Sequence, residues 1–329
     1  YGDSWRLLTD GTNGIPETNF VRDVREDPER RGLLFAGPEY GMYVSFDDGA
    51  HWQSFQKNLP VTPVTDMQIH RGDIVISTQG RGFWIMDDIT PLRGLSAAMD
   101  EDAFLFEPGD ALRGGNAWPA RIHFWMKETP EDVVTLEILD SEGEVVRSFE
   151  GRAGESAAPT GGGGFFAQFF GGGGGGRLMP KQGHNIFTWN LREEGPTIPD
   201  DVTLWGFAPG RAVVPGEYTV RLSTGDWSQE QPLTVGVNPK IGVSEDALQE
   251  QYEFLGMVGE MIDELYAGLR TLRDVKEQAN GAVERVRAAG MEADEVAAAA
   301  EAMNEKLTAI EEQITQVRSK SSQDPINFP

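Results

Sequence analysis

Ser45-Phe46-Asp47-Asp48-Gly49-Ala50-His51-Trp52 is the stretch that decides how the rest of this chain is read. Its residues fall into the pattern S-x-D-x-G-x-x-W. In such a pattern the Asp carboxylate accepts backbone N–H groups across a tight hairpin turn, the Gly supplies a positive φ, and the Trp packs beneath the turn. Ser45, Asp47, Gly49 and Trp52 are therefore expected to build a turn and to do no chemistry. The motif has echoes on both sides. Gly2-Asp3-Ser4-Trp5 repeats the G-x-x-W half of Gly49 to Trp52, and Gly82, Trp84, Ile85 and Asp88 repeat Gly41, Tyr43, Val44 and Asp47. Both displacements are close to a period of roughly 40 to 50 residues, the size of one four-stranded repeat unit.

Working outward, short β-rich runs alternate with turn clusters from Tyr1 to about Leu95. The runs are Gly32 to Gly37, Gly41 to Phe46, Val64 to Ile69, Asp73 to Ser77 and Gly82 to Met86, broken by PE, DDG, RGD and QGRG. Runs of this length fit short antiparallel strands, and residues 1–95 are expected to be the last blades of a β-propeller. Arg71-Gly72-Asp73 sits between two strand patterns and reads as a hairpin turn rather than an adhesion tripeptide. Pro91 to Leu95 is expected to close this region.

A second β-rich segment begins near Ala103. Its strand candidates are Arg121 to Lys127, Val133 to Leu139, Glu144 to Phe149, His184 to Asn190, Gly216 to Leu222 and Gln231 to Val237. Asp140-Ser141-Glu142-Gly143 joins two of them as a hairpin turn, and Pro215-Gly216 opens another. Residues 96–240 are therefore expected to form an immunoglobulin-like β-sandwich. It carries a glycine-rich insertion over 151–180, whose centre is Gly161 to Gly176 (GGGGFFAQFFGGGGGG). A phosphate-cradling loop would continue in Lys-Ser/Thr, whereas this one continues Arg177-Leu178-Met179-Pro180, so it reads as a flexible insertion. Its Phe165, Phe166, Phe169 and Phe170 either tuck against the sandwich or form a contact site.

After Pro239 the period becomes helical, and residues 241–329 are expected to form a long antiparallel helical hairpin. Ser244 is the expected N-cap, followed by Glu245 and Asp246 where the helix dipole favours anions. Leu248, Tyr252, Leu255, Val258, Ile262, Leu265, Leu269, Leu272 and Val275 draw one apolar stripe. Val296, Met303, Leu307, Ile310, Ile314 and Val317 draw a second, with the turn at Gly290. Mutual packing of the two stripes and self-association of the chain through them both fit this pattern. Ser321 to Pro329 reads as an extended exit. The expected fold class is thus mainly β with an α C-terminus: terminal propeller blades, an immunoglobulin-like sandwich and a helical hairpin.

The 329 residues are enough for two or three domains. Lys+Arg number 28 against 53 Asp+Glu, a formal net charge of -25. Such a chain repels phosphate backbones and anionic headgroups, which speaks against nucleic acid as a partner. Few of the basic residues are Lys, a balance suited to solubility in salt. No run of eighteen apolar residues is present to span a membrane. With Cys 0, disulfides and thiolate metal sites are excluded. The start inside a repeat leads us to expect an internal piece of a longer protein.

Chemistry-bearing patterns are sparse. The four histidines, His51, His70, His123 and His184, lack the spacing of a metal site on a helix or hairpin, and no G-x-S-x-G is present. Asp47-Asp48 and Asp87-Asp88 could be glycosidase carboxylates or calcium ligands, but their repeat positions mark them as turn-stabilising. No catalytic residue, metal site or cofactor is assigned. Arg81, in Gln79-Gly80-Arg81-Gly82, is the best local candidate for an inward basic group, with a blade-turn ion pair as its alternative role.

Gly41 to Trp52, Thr78 to Asp88, His184 to Arg192, Pro215 to Leu222 and the closing helices together resemble the C-terminal part of large bacterial Asp-box (BNR-repeat) proteins with sortilin-like propellers. Members are often labelled glycosyl hydrolase or exo-alpha-sialidase-like. The resemblance implies a secreted or cell-envelope location, and it transfers no catalytic residue, because no sialidase motif is matched. The leading expectation is a non-catalytic recognition or scaffolding part whose propeller face binds a protein or glycan through Tyr40, His70, Arg81 and Trp84. Two other readings stand beside it: a glycoside hydrolase whose active site lies in upstream blades, and a structural stalk assembled through the helical hairpin.

Overall fold

A computed structural model of the chain describes residues 3–5, 7–114, 119–154, 178–199, 202 and 208–318. The protein is mainly β, with a helical C-terminal part. Strands β1 (Val21–Glu26), β2 (Leu34–Pro38), β3 (Tyr43–Ser45) and β4 (Gln53–Ser54) form one antiparallel sheet in chain order. Strands β5 (Val64–His70), β6 (Asp73–Thr78) and β7 (Phe83–Met86) form a second. The two sheets abut through their first strands. Arg25 Nε donates to the Met67 carbonyl at 2.8 Å, and the Met67 N–H donates to Asp23 Oδ2 at 2.8 Å.

β2 is buried along its whole length because both of its faces are covered. Phe35 joins Val44, Val64, Met67, Ile74 and Ile76 in one core, while Leu34 and Ala36 face Ile15 and Trp52 in another. That is why its sequence reads as a continuous apolar run rather than an alternating one. The Arg71-Gly72 turn joins β5 to β6 with φ of 52° and 80°, the two left-handed residues that a tight hairpin needs. β1 was not expected. Its sequence, VRDVRE, is mostly charged, and Arg25 and Asp23 are placed there by their bonds to β5.

Pro91 to Leu95, expected to close the first β region, is the start of helix α1 (Pro91–Asp100). Proline at the first turn begins a helix as readily as it breaks one, since its missing N–H has no intrahelical partner there. α1 leans back on the first sheet through Arg93, which donates to the Asp27 carboxylate in the β1–β2 loop.

The second β part contains β8 (Ala103–Leu105), β9 (Ala111–Arg113), β10 (Ala120–Met126), β11 (Val134–Leu139), β12 (Val145–Gly151), β13 (Gly183–Trp189), β14 (Gly216–Thr224) and β15 (Trp227–Val237). They make two sheets, ordered β13-β10-β8 and β12-β11-β14-β15-β9, with β9 parallel to β15. Residues from both sheets meet in one core around Trp189, Phe124, Ile122, Leu136 and Val220. β8 and β9, three residues each, were too short to show in the sequence. The strand expected from Gln231 begins at Trp227, where the polar run pairs with the far end of β14. The glycine-rich centre, Gly161 to Gly176 with its four Phe residues, lies outside the described residues, as do Ser321 to Pro329.

Helices α2 (Glu245–Ala288) and α3 (Asp294–Ile314) form the C-terminal part. Ser244 caps α2, its Oγ accepting the Ala247 N–H at 3.2 Å, and Gly290 turns the chain with φ 71°. The hairpin is unequal, with helices of 44 and 21 residues. α3 is half the length of α2 and covers only its C-terminal half, where Glu311 accepts from Arg273 Nε at 2.7 Å and Lys276 Nζ at 2.9 Å. The N-terminal half of α2 lies on the second β part, with Gln251, Tyr252 and Asp263 bonded to it. Of the expected stripe, Leu248, Leu269 and Leu272 are buried, while Leu255, Leu265 and Val275 are exposed. Among the described residues no helix is long and apolar enough to cross a membrane.

Candidate functional site

The turn at Asp47 is built as its sequence requires. Asp47 Oδ1 accepts the Ser45 hydroxyl at 2.9 Å and the His51 N–H at 2.8 Å, and Ser45 Oγ accepts the Gly49 N–H at 2.9 Å. Asp48 and Gly49 have φ of 58° and 79°. Trp52 is buried, and its Nε1 donates to the Leu8 carbonyl at 3.0 Å. His51, at a position the motif leaves variable, adds a bond between its Nδ1 and Asp47 Oδ2 at 2.6 Å. Partial burial pushes the Asp47 carboxyl up, but the bonds from His51 and Ser45 outweigh it and hold it at about 2. These groups all serve the turn.

The echoes behave differently. Trp5 is exposed and does not pack as Trp52 does, and among the described residues the first strand begins only at Val21. Asp88 has the left-handed backbone of Asp48, with φ 55°, but its carboxylate does more than brace a turn. Oδ1 accepts the Thr90 N–H and hydroxyl at 3.1 and 2.5 Å, and Oδ2 accepts His123 Nε2–H from β10 at 2.9 Å. His123 Nδ1 in turn shares a hydrogen bond of 2.9 Å with Nε2 of His184 on β13. A carboxylate–imidazole–imidazole chain thus fastens the first β part to the second.

His123 is buried, whereas His184 is exposed on one side and on the other meets His123 edge to edge with the two rings nearly parallel, the Phe106 ring lying edge-on to it. Burial of that inner side, then the charge of His123 and those of Lys57 and Lys181, push the His184 imidazole down to about 4. Asp88 lies below the usual carboxylate range; burial opposes this, and the bonds from His123 and Thr90 prevail. The sign of the pH dependence follows. An unfolded chain protonates His184 near 6.5 while the native chain does not until about 4, so the contribution of His184 to stability is fully present above pH 6.5 and is lost from there to pH 4. Asp88 adds a further loss as pH falls through the unfolded carboxyl value of 3.8. Thermal unfolding of the intact chain at pH 7.5, 5.5 and 4.5 should show a falling midpoint, and His184→Gln should flatten the decline between the first two. An unchanged slope in that variant would count against the assignment.

The four surface residues expected to bind a ligand do not all come together. Asn19 clasps Tyr40, accepting its N–H at 2.8 Å and donating to its carbonyl at 3.2 Å. Gly41 N–H reaches the Thr62 carbonyl, and the Thr62 hydroxyl donates to the Gln79 carbonyl at 3.0 Å. Gln79 opens the β6–β7 turn that carries Arg81, whose carbonyl accepts Trp84 Nε1–H at 3.0 Å. These bonds set Tyr40, Arg81 and Trp84 at one end of the two sheets. His70 pairs with Asp73 at the other end of β5 and is not part of the group. Three residues not foreseen join it: Phe20, Val61 and Phe83. Phe20, Tyr40, Val61 and Phe83 are 56%, 57%, 68% and 81% exposed, an apolar edge with the exposed Arg81 beside it, while Trp84 packs inward on the core. Their exposure comes from the pairing of strands, so no local sequence signal marks them.

Among the described residues no group of three or more His, Cys, Asp and Glu side chains is placed to hold a metal ion. No known protein-family model matches the chain, and no curated protein matches it.

Proposed function

We propose that this chain is the recognition and scaffolding part of a secreted or cell-envelope β-propeller protein of the Asp-box, sortilin-like kind. In this reading the sheets β1–β4 and β5–β7 are terminal blades, the second β part is an immunoglobulin-like sandwich, and α1 with the Asp88–His123 bond holds the two in register. The carrying observation is the Asp47 turn in a sheet whose strands follow chain order, with the first strands of successive sheets side by side. Radially arranged blades meet in that way through their inner strands.

The binding surface in this reading is the edge bearing Phe20, Tyr40, Val61, Arg81 and Phe83. Exposed aromatic rings offer large apolar area at low rotamer cost, stack on the apolar faces of sugars or on partner side chains, and pair with a guanidinium that fixes orientation. A protein or a glycan fits this chemistry. The test is a glycan array and a panel of cell-envelope proteins probed with the intact chain and with Tyr40→Ala/Phe83→Ala. Binding by the intact chain should weaken by roughly tenfold or more in the variant, with the unfolding midpoint nearly unchanged. Equal binding by both, or none by the intact chain, would overturn the recognition reading.

A further inference from the structure

The two sheets of the first β part end differently. After β3 the chain turns at Asp47 to Gly49 and comes back as β4, the last strand of its sheet. After β7 it turns at Asp88 and enters α1, so that among the described residues β7 is the last strand of the second sheet. Gly82, Trp84 and Ile85 repeat Gly41, Tyr43 and Val44, which puts Phe83 at the place of Met42. The backbone keeps that correspondence. The Phe55 N–H, just past β4, donates to the Met42 carbonyl at 2.7 Å, so Met42 and Val44 are the residues whose main chain faces β4. The Thr78 N–H donates to the Gly82 carbonyl at 3.1 Å, so Gly82, Trp84 and Met86 bond towards β6, and the N–H and C=O groups of Phe83 and Ile85 point away from it.

The side chains differ where the main chains agree. Met42 and Val44 are buried, whereas Phe83 and Ile85 are 81% and 61% exposed. Behind them the same face of the sheet turns polar: Ser77 and Asp66 follow Phe83, and Val75 and Gln68 follow Ile85. A whole sheet laid on this face would bury those polar groups, while a single strand along the edge covers Phe83 and Ile85 alone. An open edge is a template for strand addition, in which main-chain bonds give affinity and alternate side chains give selectivity. We propose that β7 takes a fourth strand from a partner protein: an extended peptide that pairs antiparallel with it, as β4 does with β3. The peptide bonds to the main chain of Phe83 and Ile85 and sets apolar side chains beside theirs at alternate positions. Phe83 also belongs to the aromatic edge, but Ile85 does not, so a test at Ile85 can fail while the recognition reading stands.

The experiment pans a random peptide library displayed on phage against the intact chain and measures the affinity of the enriched peptides. They should carry apolar residues at alternate positions, and Ile85→Pro should weaken their binding by roughly tenfold or more. Proline suits the test because it removes an N–H that faces outward and leaves the bonds of Trp84 and Met86 to β6 in place. Should that variant not fold, N-methylated peptides decide the matter on wild type. Methyl groups on the alternate backbone nitrogens that face β7 should abolish binding, while methyl groups on the others leave it. No enriched peptide, equal binding by Ile85→Pro, or the same response to methylation at every position overturns the proposal. So does a wild-type dimer that Ile85→Pro dissociates, because the edge would then serve a second copy of the chain.

Discussion

Leu269→Asp is expected to unfold the helical part, at a cost above about 4 kcal/mol, while Leu265→Asp one turn earlier costs about 1 kcal/mol or less. The two leucines lie on one apolar stripe in the sequence, yet Leu269 is fully buried and Leu265 is 45% exposed. An aspartate at 269 would place an ionised carboxylate among buried Tyr266 and Leu272. At 265 the same carboxylate stays in water. Urea unfolding followed by helix circular dichroism measures both, and equal losses would mean that the burial pattern of α2 is wrong. The pair also isolates the question of self-association. If the exposed half of the stripe joins two copies of the chain, Leu265→Asp alone should dissociate them without unfolding either. Equal sedimentation of that variant and wild type would remove the self-association reading.

That contrast shows where sequence reasoning ran out. A period of three or four residues says that a face is apolar, but it does not say how long the covering element is. Here α3 spans half of α2, so among the described residues half of the stripe has no helix over it. The Asp47 turn was legible because every group in it lies within a few residues: Ser45, Gly49 and His51 all bond inside one loop. Ser244 was legible for the same reason. His123 and His184 were not, since only the antiparallel register of β10 and β13, with His123 facing Ile186 and His184 facing Trp125, makes them neighbours. Asp88 is the mixed case. Its left-handed backbone is that of Asp48, one residue off the Asp47 position that the repeat assigns it, and its second oxygen is committed to a residue on another sheet. Of the exposed edge the sequence named Tyr40 and Arg81, while Trp84 packs inward, and Phe20 was missed because only the pairing of β1 with β2 brings it beside Tyr40.

Asp27→Ala should cost the first β part about 3 to 5 kcal/mol, although Asp27 stands in a loop. Its side chain is fully buried. Oδ1 accepts the N–H groups of Glu29 and Arg30 at 2.8 and 2.7 Å, and the two oxygens accept Arg93 Nε and Nη2 at 3.1 to 3.2 Å. Removing the carboxylate therefore strands two backbone donors and deprives a largely buried guanidinium of its buried partner, leaving only Glu29, which is exposed. Exposed ion pairs are worth about 1 kcal/mol or less, so Glu29 cannot replace Asp27. Asn at this position would keep an acceptor for the loop N–H groups but turn an amide against Arg93, and it should recover only part of the loss. The coupling can be isolated. In a double-mutant cycle with Arg93→Met, Asp27→Ala should cost about 2 kcal/mol less than in wild type, because no cation is then left unpaired. The measurement is urea unfolding of the four proteins. A loss under about 1 kcal/mol for Asp27→Ala, or strict additivity with Arg93→Met, would show that α1 is not held to the first sheet by this pair. The link matters beyond stability, because α1 leads directly from the first β part to β8 of the second. Loosening it should also weaken the Asp88–His123 bond, which spans the same junction.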